Sequence, residues 1–339
     1  MKDKEFNQEK SKISIFDYEI HQYSQIKESE PTIYIRDALF AAKGELSFIS
    51  GKAKSGKTSI AVVTIANCLV ENPEFDNLHI NSVYCENQPI IYIDTEQSQS
   101  SSKKIIDRIS KLLNRPEQPE NFKIFNLRSL SIDDRKEFVK QMFETIKNPH
   151  LVFVDGLGDF VKSANDEKEA NEILQLFAYY AEKYHTSIIL FLHETHTNEK
   201  MRGHLGSEAE RKCFATISVS KDRNEQTHSI KAKLFRDSKD FEEIGFKYNE
   251  ELKAMESIKD SEYKKTKRDE KNEFLYLEKI LFPNEKINNT ELINRLTKYT
   301  NLKPRTCQDK IQKMVKLGLI EKEEKHKNEV YYYLPNSAL

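Results

Sequence analysis

LSFISGKAKSGKTSIAVV, residues 46–63, is the stretch that predicts the fold. An apolar run leads into a loop rich in glycine and lysine, and a second apolar run follows the loop. The loop matches the phosphate-binding pattern G-x-x-x-x-G-K-S/T. Its residues are Gly51, Lys52, Ala53, Lys54, Ser55, Gly56, Lys57 and Thr58. Because glycines let several backbone N–H groups point at one phosphate at the start of a helix, we expect this loop to bind a nucleoside triphosphate.

Two side chains of the loop are expected to carry chemistry. Lys57 would bridge the β- and γ-phosphates, and Thr58 would place its hydroxyl on a magnesium ion. ATP and Mg²⁺ are therefore the expected cofactors. A chance match in a lysine-rich loop is the alternative, and the strand-like run before the loop and the helix-like run after it argue against that alternative.

The rest of the chain supports an α/β fold with a mainly parallel central sheet. Between about residues 32 and 250, short apolar runs alternate with amphipathic stretches. The runs are ELSFIS, PIIYID, NFKIFNL, LVFVDGL, SIILFLH, FATISVS, SIKAKLF and GFKYN. The expected helices between the earlier runs are Lys57–Leu69, Ser102–Leu113, Ile132–Ile146 and Glu167–Tyr184. Strand and helix in alternation predict a parallel sheet covered on both faces, and the last runs, which lack long helices between them, predict antiparallel strands.

The composition of the chain limits the classes of protein to which it can belong. The 339 residues carry a formal net charge of -1, so the overall charge points to no partner. No apolar run approaches the roughly 20 residues of a membrane span, and we expect a cytoplasmic protein that does not enter the membrane. The four cysteines lie far apart without metal-ligand spacing, which fits a reducing compartment. We divide the chain into a lead-in (1–31), an ATPase domain (32–250), a charged linker (251–272) and a C-terminal domain (273–339).

Acidic side chains follow two of the apolar runs. LVFVD ends at Asp155, the pattern of a buried strand that delivers a carboxylate to the Mg²⁺ beside Thr58. PIIYID ends at Asp94, and Glu96 follows it. Only one carboxylate is needed for the metal, so we expect Glu96 to orient and deprotonate the attacking water. The alternative is that Asp94 or Glu96 caps the next helix, whose start is rich in capping residues.

The order of these motifs resembles RecA-type ATPases, and more closely the RepA-like branch of plasmid and mobile-element replication helicases. The phosphate loop is followed by IDTEQ, then LVFVD, then a strand that ends in FLHETH. The resemblance implies that His193 lies near the γ-phosphate and that a mobile loop with Arg202-Gly203 follows. It covers about residues 32–250. It implies ATP hydrolysis at the subunit interfaces of a homo-oligomer, such as a hexameric ring. A zinc site in HETH is not expected, because the histidine spacing is wrong for one.

The same resemblance suggests further contacts. On a late strand, Lys231, Lys233 and Arg236 would reach the ATP of a neighbouring subunit, with Arg236 acting as an arginine finger. A solvent-facing basic strand is the alternative. The loop Thr197–Arg211 would line a central channel, where Lys200 and Arg202 would meet the phosphates of single-stranded DNA.

The C-terminal part resembles a winged-helix domain. Its pattern predicts helices at Phe274–Leu281, Asn289–Thr300 and about Thr306–Leu317, followed by a hairpin. The segment from Lys286 to Lys316 contains eight Lys or Arg residues and two acidic residues, which gives a local net charge of +6. The residues expected to contact duplex DNA are Lys303, Arg305, Gln308, Lys310 and Lys313. Winged helices also serve as protein-docking or dimer modules, which remains the alternative.

Three functions fit these patterns. The first is a DNA-associated ATP-hydrolysing motor or helicase that acts in replication or mobilisation of a plasmid or mobile element. The second is a ParA/MinD-like partitioning switch, because Lys52 occupies the place of that family's extra lysine; against it, Ala53-Lys54 replace the paired glycines. The third is a nucleotide-gated DNA-binding regulator with slow hydrolysis.

Overall fold

The computed structural model describes residues 14–24, 29–195, 200–222, 225–251, 253–263, 274, 276–325 and 329–335. The chain forms two compact units. The first unit comprises Met1–Phe75, Ile80–Val219 and Ala232–Phe241, and the second comprises Asp76–His79, Ser220–Lys231 and Glu242–Leu339. Parts of the predicted lead-in and linker lie outside the described residues.

The first unit alternates strands and helices as the sequence predicts. Its strands are β1 (Pro31–Ile35), β2 (Ala38–Ala42), β3 (Leu46–Gly51), β4 (Ile80–Ser82), β5 (Ile90–Asp94), β6 (Phe122–Asn126), β7 (Leu151–Asp155), β8 (Ser187–His193) and β9 (Ala215–Lys221). Its helices are α1 (Lys57–Cys68), α2 (Gln99–Leu112), α3 (Ile132–Thr145), α4 (Glu167–Lys183) and α5 (Gly203–Lys212). Strand β9, at its end, and strand β10 (Thr227–Phe235) contribute residues to both units. The four helices expected from the sequence match α1 to α4 to within three residues.

A parallel sheet organises this unit. Its strands lie side by side in the order β9, β3, β8, β7, β5, β6, and every neighbouring pair is parallel. The predicted α/β fold is therefore confirmed. Because parallel strands end at the same edge, their carboxyl-terminal residues become neighbours: Asp94 pairs with Asp155, and Gly51 pairs with His193. We call this the carboxyl edge of the sheet.

Both faces of the sheet are covered. Val152 and Val154 of β7 join a buried cluster with α3 and α4, including Phe143 and Phe177. Phe153 lies between them in sequence and points to the opposite face, because side chains alternate along a strand. Each fully buried side chain of this size stabilises the fold by roughly 1.5–3 kcal/mol relative to an exposed one.

A small antiparallel sheet, in the order β2, β1, β4, also belongs to the first unit. These strands, which have three to five residues each, were not predicted from the sequence. Strands this short give little periodicity from which to predict them.

The second unit contains two groups of elements. Strand β11 (Ile244–Asn249) pairs antiparallel with the first half of β10, as the sequence predicts. Strand β12 (Ala254–Ser257) pairs antiparallel with β11 and lies within the segment 251–272, which the sequence analysis interpreted as a charged linker. Near the C-terminus lie β13 (Ile287–Asn288), α6 (Asn289–Thr300), α7 (Pro304–Lys316), β14 (Glu321–Lys325) and β15 (Glu329–Tyr333). The last strands form an antiparallel sheet in the order β13, β15, β14.

Particular residues explain where the C-terminal helices begin and which face of α7 is buried. The side chain of Asn288 caps α6 by accepting from the Glu291 N–H at 2.9 Å. Pro304 occupies the first turn of α7, where its missing N–H costs nothing. Cys307, Ile311 and Met314 lie on one face of α7 and are buried in the C-terminal core.

The predicted helix Phe274–Leu281 is wrong in extent. Among the described residues, this segment contains a 3₁₀ turn at Leu277–Lys279. Pro283 disfavours helical geometry at Phe282, which limits helix growth from this side. In the described part of the chain, no helix is long and apolar enough to cross a membrane.

Candidate nucleotide-binding site

The loop Gly51–Thr58 joins the end of β3 to the start of α1 at the carboxyl edge. Gly56 has a φ of 107°, a conformation that residues with a Cβ rarely adopt. A Cβ on Gly51 would collide with the Val219 carbonyl oxygen and with Ser55 Oγ. The two glycines of the motif are thus required by the backbone itself, and they allow the loop to curl over the helix N-terminus.

Lys57 is folded back onto this loop. Its Nζ donates to the Gly51 carbonyl at 2.9 Å and to the Lys52 carbonyl at 3.3 Å. Burial lowers the pKa of the Lys57 ammonium, and the nearby Asp155, Glu96 and Glu194 carboxylates oppose this shift. A buried cation held by the loop's own carbonyls is placed to take an anionic phosphate.

Thr58 and Asp155 meet beside Lys57. The Thr58 hydroxyl lies 3.3 Å from Asp155 Oδ2, and the Tyr92 hydroxyl donates to the same oxygen at 2.6 Å. Burial raises the pKa of Asp155 to about 6, although the Tyr92 hydrogen bond opposes the rise. A hydroxyl and a carboxylate at this spacing are the oxygen donors that Mg²⁺ uses, so the residues present fit the ion.

Glu96 is linked to Lys57 through the His193 side chain, which lies between them. His193 Nε2 lies 2.9 Å from Glu96 Oε1, and its Nδ1 lies 3.5 Å from Lys57 Nζ. The His193 hydrogen bond lowers the pKa of the Glu96 carboxyl, and burial opposes this. Gly156 makes room for this carboxylate, because a Cβ there would collide with Glu96 Oε1. The structure therefore joins Lys57, His193 and Glu96 in one polar chain.

Neither Asp94 nor Glu96 is the N-cap of α2, which is Ser98, and Asp94 instead holds the turn before this helix. Its Oδ1 accepts from the backbone N–H groups of Glu96 and Gln97 at 3.1 and 2.9 Å. Its Oδ2 accepts from the Ser102 hydroxyl at 2.7 Å. Asp94 thus stabilises the turn before α2, while the Glu96 side chain contacts His193 in the nucleotide-binding site.

Two residues of this region were missed by the sequence analysis. Tyr92 is fully buried within β5 and binds Asp155; a tyrosine in an otherwise apolar buried run was a signal, because its hydroxyl needs a partner. Glu194 follows His193, is buried, and accepts from the Ser50 and Ser218 hydroxyls. In the sequence, Glu194 was considered only as part of HETH, and no sequence pattern predicts its contacts with Ser50 and Ser218.

The basic residues on β10 and just after it lie in different surroundings. Lys233 Nζ lies 3.6 Å from Glu194 Oε1. Arg236 donates to the Cys213 carbonyl at 3.1 Å and lies 3.6 Å from Glu45. Lys231 is half-buried and belongs to the second unit.

The predicted channel loop is partly helical. Residues 203–212 form α5, so the expected loop Thr197–Arg211 is shorter than predicted. At the helix start, Gly203 has a φ of 71° and a Cβ there would collide with the Ala164 carbonyl oxygen, which accepts from the Leu205 N–H at 2.9 Å. Lys200 and Arg202 are exposed at the end of the remaining loop. Thr197 and His196 lie outside the described residues.

The predicted DNA-contacting residues of α7 fall into two groups. Lys303 and Arg305 are exposed. Gln308 instead accepts from the Asn289 amide at 3.0 Å. Lys310 and Lys313 place their Nζ atoms 5.1 and 5.8 Å from the centre of the Phe274 ring.

Comparison with known proteins assigns a family to this site. A family model described as AAA domain matches residues 18–199, a range that includes the phosphate loop, Glu96, Asp155 and His193. The chain belongs to this AAA domain family. It is therefore a P-loop ATPase. Among solved structures, the RadB recombinase is similar, with 18% sequence identity, a TM-score of 0.47, and coverage of 65% of this chain and 93% of that chain. No curated protein matches the sequence.

Proposed function

We propose that this P-loop ATPase is a DNA-associated motor of the RepA-like type, which hydrolyses ATP in replication or mobilisation of a plasmid or mobile element. The observation that carries the proposal is the convergence of Lys57, Glu96, Asp155 and His193 at one edge of the sheet. A nucleotide-binding protein without turnover would not need a second carboxylate linked to the phosphate-binding lysine.

Each residue of the site would have a separate role in ATP hydrolysis. Mg²⁺, held by Thr58 and Asp155, would neutralise charge on the phosphates. Lys57 would leave the loop carbonyls to contact the β- and γ-phosphates. Glu96, whose lowered pKa keeps its carboxylate ionised, would orient the attacking water and accept its proton. His193, between Glu96 and Lys57, would orient the carboxylate and respond to the γ-phosphate.

Other residues would couple hydrolysis to DNA. Arg236, just after β10, and Lys231, on that strand, would act on the ATP of a neighbouring subunit in a homo-oligomer. Lys200 and Arg202 would contact single-stranded DNA in a channel. Helices α6 and α7 with the β14–β15 hairpin would form a winged helix that holds duplex DNA through Lys303 and Arg305, and Gln308, Lys310 and Lys313 would support that surface.

The test is steady-state ATP hydrolysis by the wild type and by Glu96→Gln, without DNA and with single-stranded or duplex DNA. We expect single strands to stimulate the wild type, Glu96→Gln to lower turnover by about 10²-fold or more, and ATP to favour an oligomer on a sizing column. Glu117→Gln, at an exposed position away from the site, serves as the matched control. Slow turnover that DNA does not change, with no oligomer, would contradict the motor and favour the regulator.

Lys52→Ala separates the motor from the partitioning switch. The Lys52 side chain is exposed on the loop, while its carbonyl accepts from Lys57 and from the Ser55 N–H. Because the backbone carbonyl of Lys52 is kept in the alanine variant, the motor should keep most of its hydrolysis. Loss of hydrolysis together with an ATP-dependent dimer would favour the ParA/MinD-like switch.

A further inference from the structure

Glu194 is a buried carboxylate directly behind the phosphate loop. One oxygen, Oε1, lies 2.7 Å from Ser50 Oγ and 2.7 Å from Ser218 Oγ. Ser50 Oγ also lies 3.1 Å from the Ile217 carbonyl, so its one proton is shared, with the shorter contact to the carboxylate. Serine hydroxyls from β3 and β9 therefore converge on one side chain from the end of β8.

The same oxygen has a cationic neighbour in the same subunit. Lys233 Nζ lies 3.6 Å from Glu194 Oε1, and the two side chains are 20% and 3% exposed. A carboxylate this deeply buried is costly unless it is hydrogen-bonded and paired with a positive charge. Lys233 supplies that charge from β10.

The backbone of Glu194 also holds the loop. Its N–H donates to the Gly51 carbonyl at 3.3 Å, and the same carbonyl accepts from Lys57 Nζ. Ser50 and Gly51 are the last residues of β3, where the loop begins. Glu194 thus fixes the start of the loop through its side chain and its backbone together.

We propose that Glu194 is a positioning residue that holds the phosphate loop in its binding shape, and that Lys233 is its counter-ion within the same subunit. Lys233 is then not a residue that reaches a neighbour's ATP, unlike Arg236. This inference rests on the proposed phosphate-binding role of the loop, but not on DNA binding or on an oligomer.

A double-mutant cycle on thermal stability tests the ion pair without nucleotide. We expect Lys233→Met to lower the melting temperature by at least about 5 °C, because it leaves a buried carboxylate unpaired. Adding Glu194→Gln should recover most of that loss, since the amide needs no counter-ion. Lys239→Met, an exposed lysine of the same unit, should change nothing. Effects of Lys233→Met and Glu194→Gln that simply add would overturn the pairing.

The cycle decides the question even if Lys233→Met alone does not fold. A folded double variant would then support the pair, and an unfolded one would contradict it. Lys233→Arg, which keeps the charge, should retain a melting temperature close to that of the wild type.

The positioning role is tested by ATP binding to the folded double variant Glu194→Gln/Lys233→Met. Loss of the charged acceptor for two hydroxyls should weaken equilibrium binding of a fluorescent ATP analogue about 10-fold. Unchanged affinity would overturn the positioning role. If the wild type itself bound no analogue, the proposed function would fail instead, while the stability cycle would still report on the ion pair.

Discussion

At the scale of single residues, Asp155 shows how a metal-binding carboxylate is tuned by burial. Burial raises its pKa from 3.8 to about 6, and the Glu96 and Asp94 carboxylates add to the rise. Tyr92 and Lys57 act in the opposite direction. The charged form is therefore disfavoured in the protein without Mg²⁺, and binding of the cation would relieve this cost.

This shift predicts a pH dependence of stability. Between about pH 4 and pH 6 the folded protein binds more protons at Asp155 than the unfolded chain does, so the free energy of unfolding falls as pH rises. The loss amounts to about 3 kcal/mol above the folded pKa. Asp155→Asn does not titrate and should avoid this loss, becoming more stable than the wild type at neutral pH.

The measurement is denaturant unfolding of both proteins in the presence of EDTA, at about pH 4.5 and about pH 7.5. The difference between the two proteins isolates Asp155 from other titrating groups. Parallel stabilities across this range would show that Asp155 keeps an ordinary pKa.

Gly156 gives a second prediction at this scale. Gly156→Ala would push the Glu96 carboxylate away from its place beside His193, because the new Cβ meets Glu96 Oε1. We expect the turnover number to fall by up to about 10²-fold, since small displacements of a catalytic group are costly. Gly158→Ala is the matched control, because its Cβ would meet no atom within 4 Å. Equal turnover in the two variants, measured at saturating ATP, would argue against a catalytic Glu96.

At the scale of elements, the sequence predicted what depends on local pattern. Helices α1 to α4 and strands β3 and β5 to β11 follow from apolar periodicity, and the phosphate loop follows from its glycines. Helix α5 was predicted as loop; the Leu205 N–H near its start donates to the Ala164 carbonyl, a long-range contact that local pattern does not encode. The Glu194 network joins β8 to β3 and β9, and no spacing along one segment encodes such long-range partners.

Helix α7 separates two kinds of basic residue that the sequence could not distinguish. Arg305 is exposed, whereas Lys310 lies over the Phe274 ring. If α7 contacts duplex DNA, Arg305→Ala should weaken binding and reduce the slope of log affinity against log salt by about 1. Lys310→Ala should mainly lower thermal stability, through loss of a cation–π contact worth about 0.5–1 kcal/mol.

Fluorescence anisotropy with a labelled duplex, over a series of salt concentrations, measures both variants. A salt slope that falls equally for Arg305→Ala and Lys310→Ala would mean that Lys310 leaves Phe274 to bind phosphate. No change in either variant would favour a protein-docking role for this part of the chain.

At the scale of the whole molecule, the direction of the parallel strands decides which residues can reach the nucleotide bound by the same subunit. The phosphate loop, Glu96, Asp155 and His193 all follow the carboxyl ends of strands. Arg236 lies at the other edge: its N–H donates to the Phe214 carbonyl, and the Phe214 N–H donates to the Leu46 carbonyl at the start of β3. The length of β3 separates the two edges, about 17 Å for five residue steps.

Arg236 is therefore too far from the phosphate loop of its own subunit to stabilise the reaction there, so the proposed arginine-finger role requires a second subunit. Subunits with Arg236→Ala keep an intact site, and subunits with Glu96→Gln keep an intact arginine. Arg236→Ala alone should hydrolyse ATP at least about 10³-fold more slowly than the wild type if the arginine acts as a finger, and Glu96→Gln alone should do so at least about 10²-fold more slowly. Mixing the two should restore activity, because some interfaces then combine a wild-type site with a wild-type arginine. ATP hydrolysis across a series of mixing ratios measures this, and a mixture no more active than its parts would place Arg236 outside the reaction.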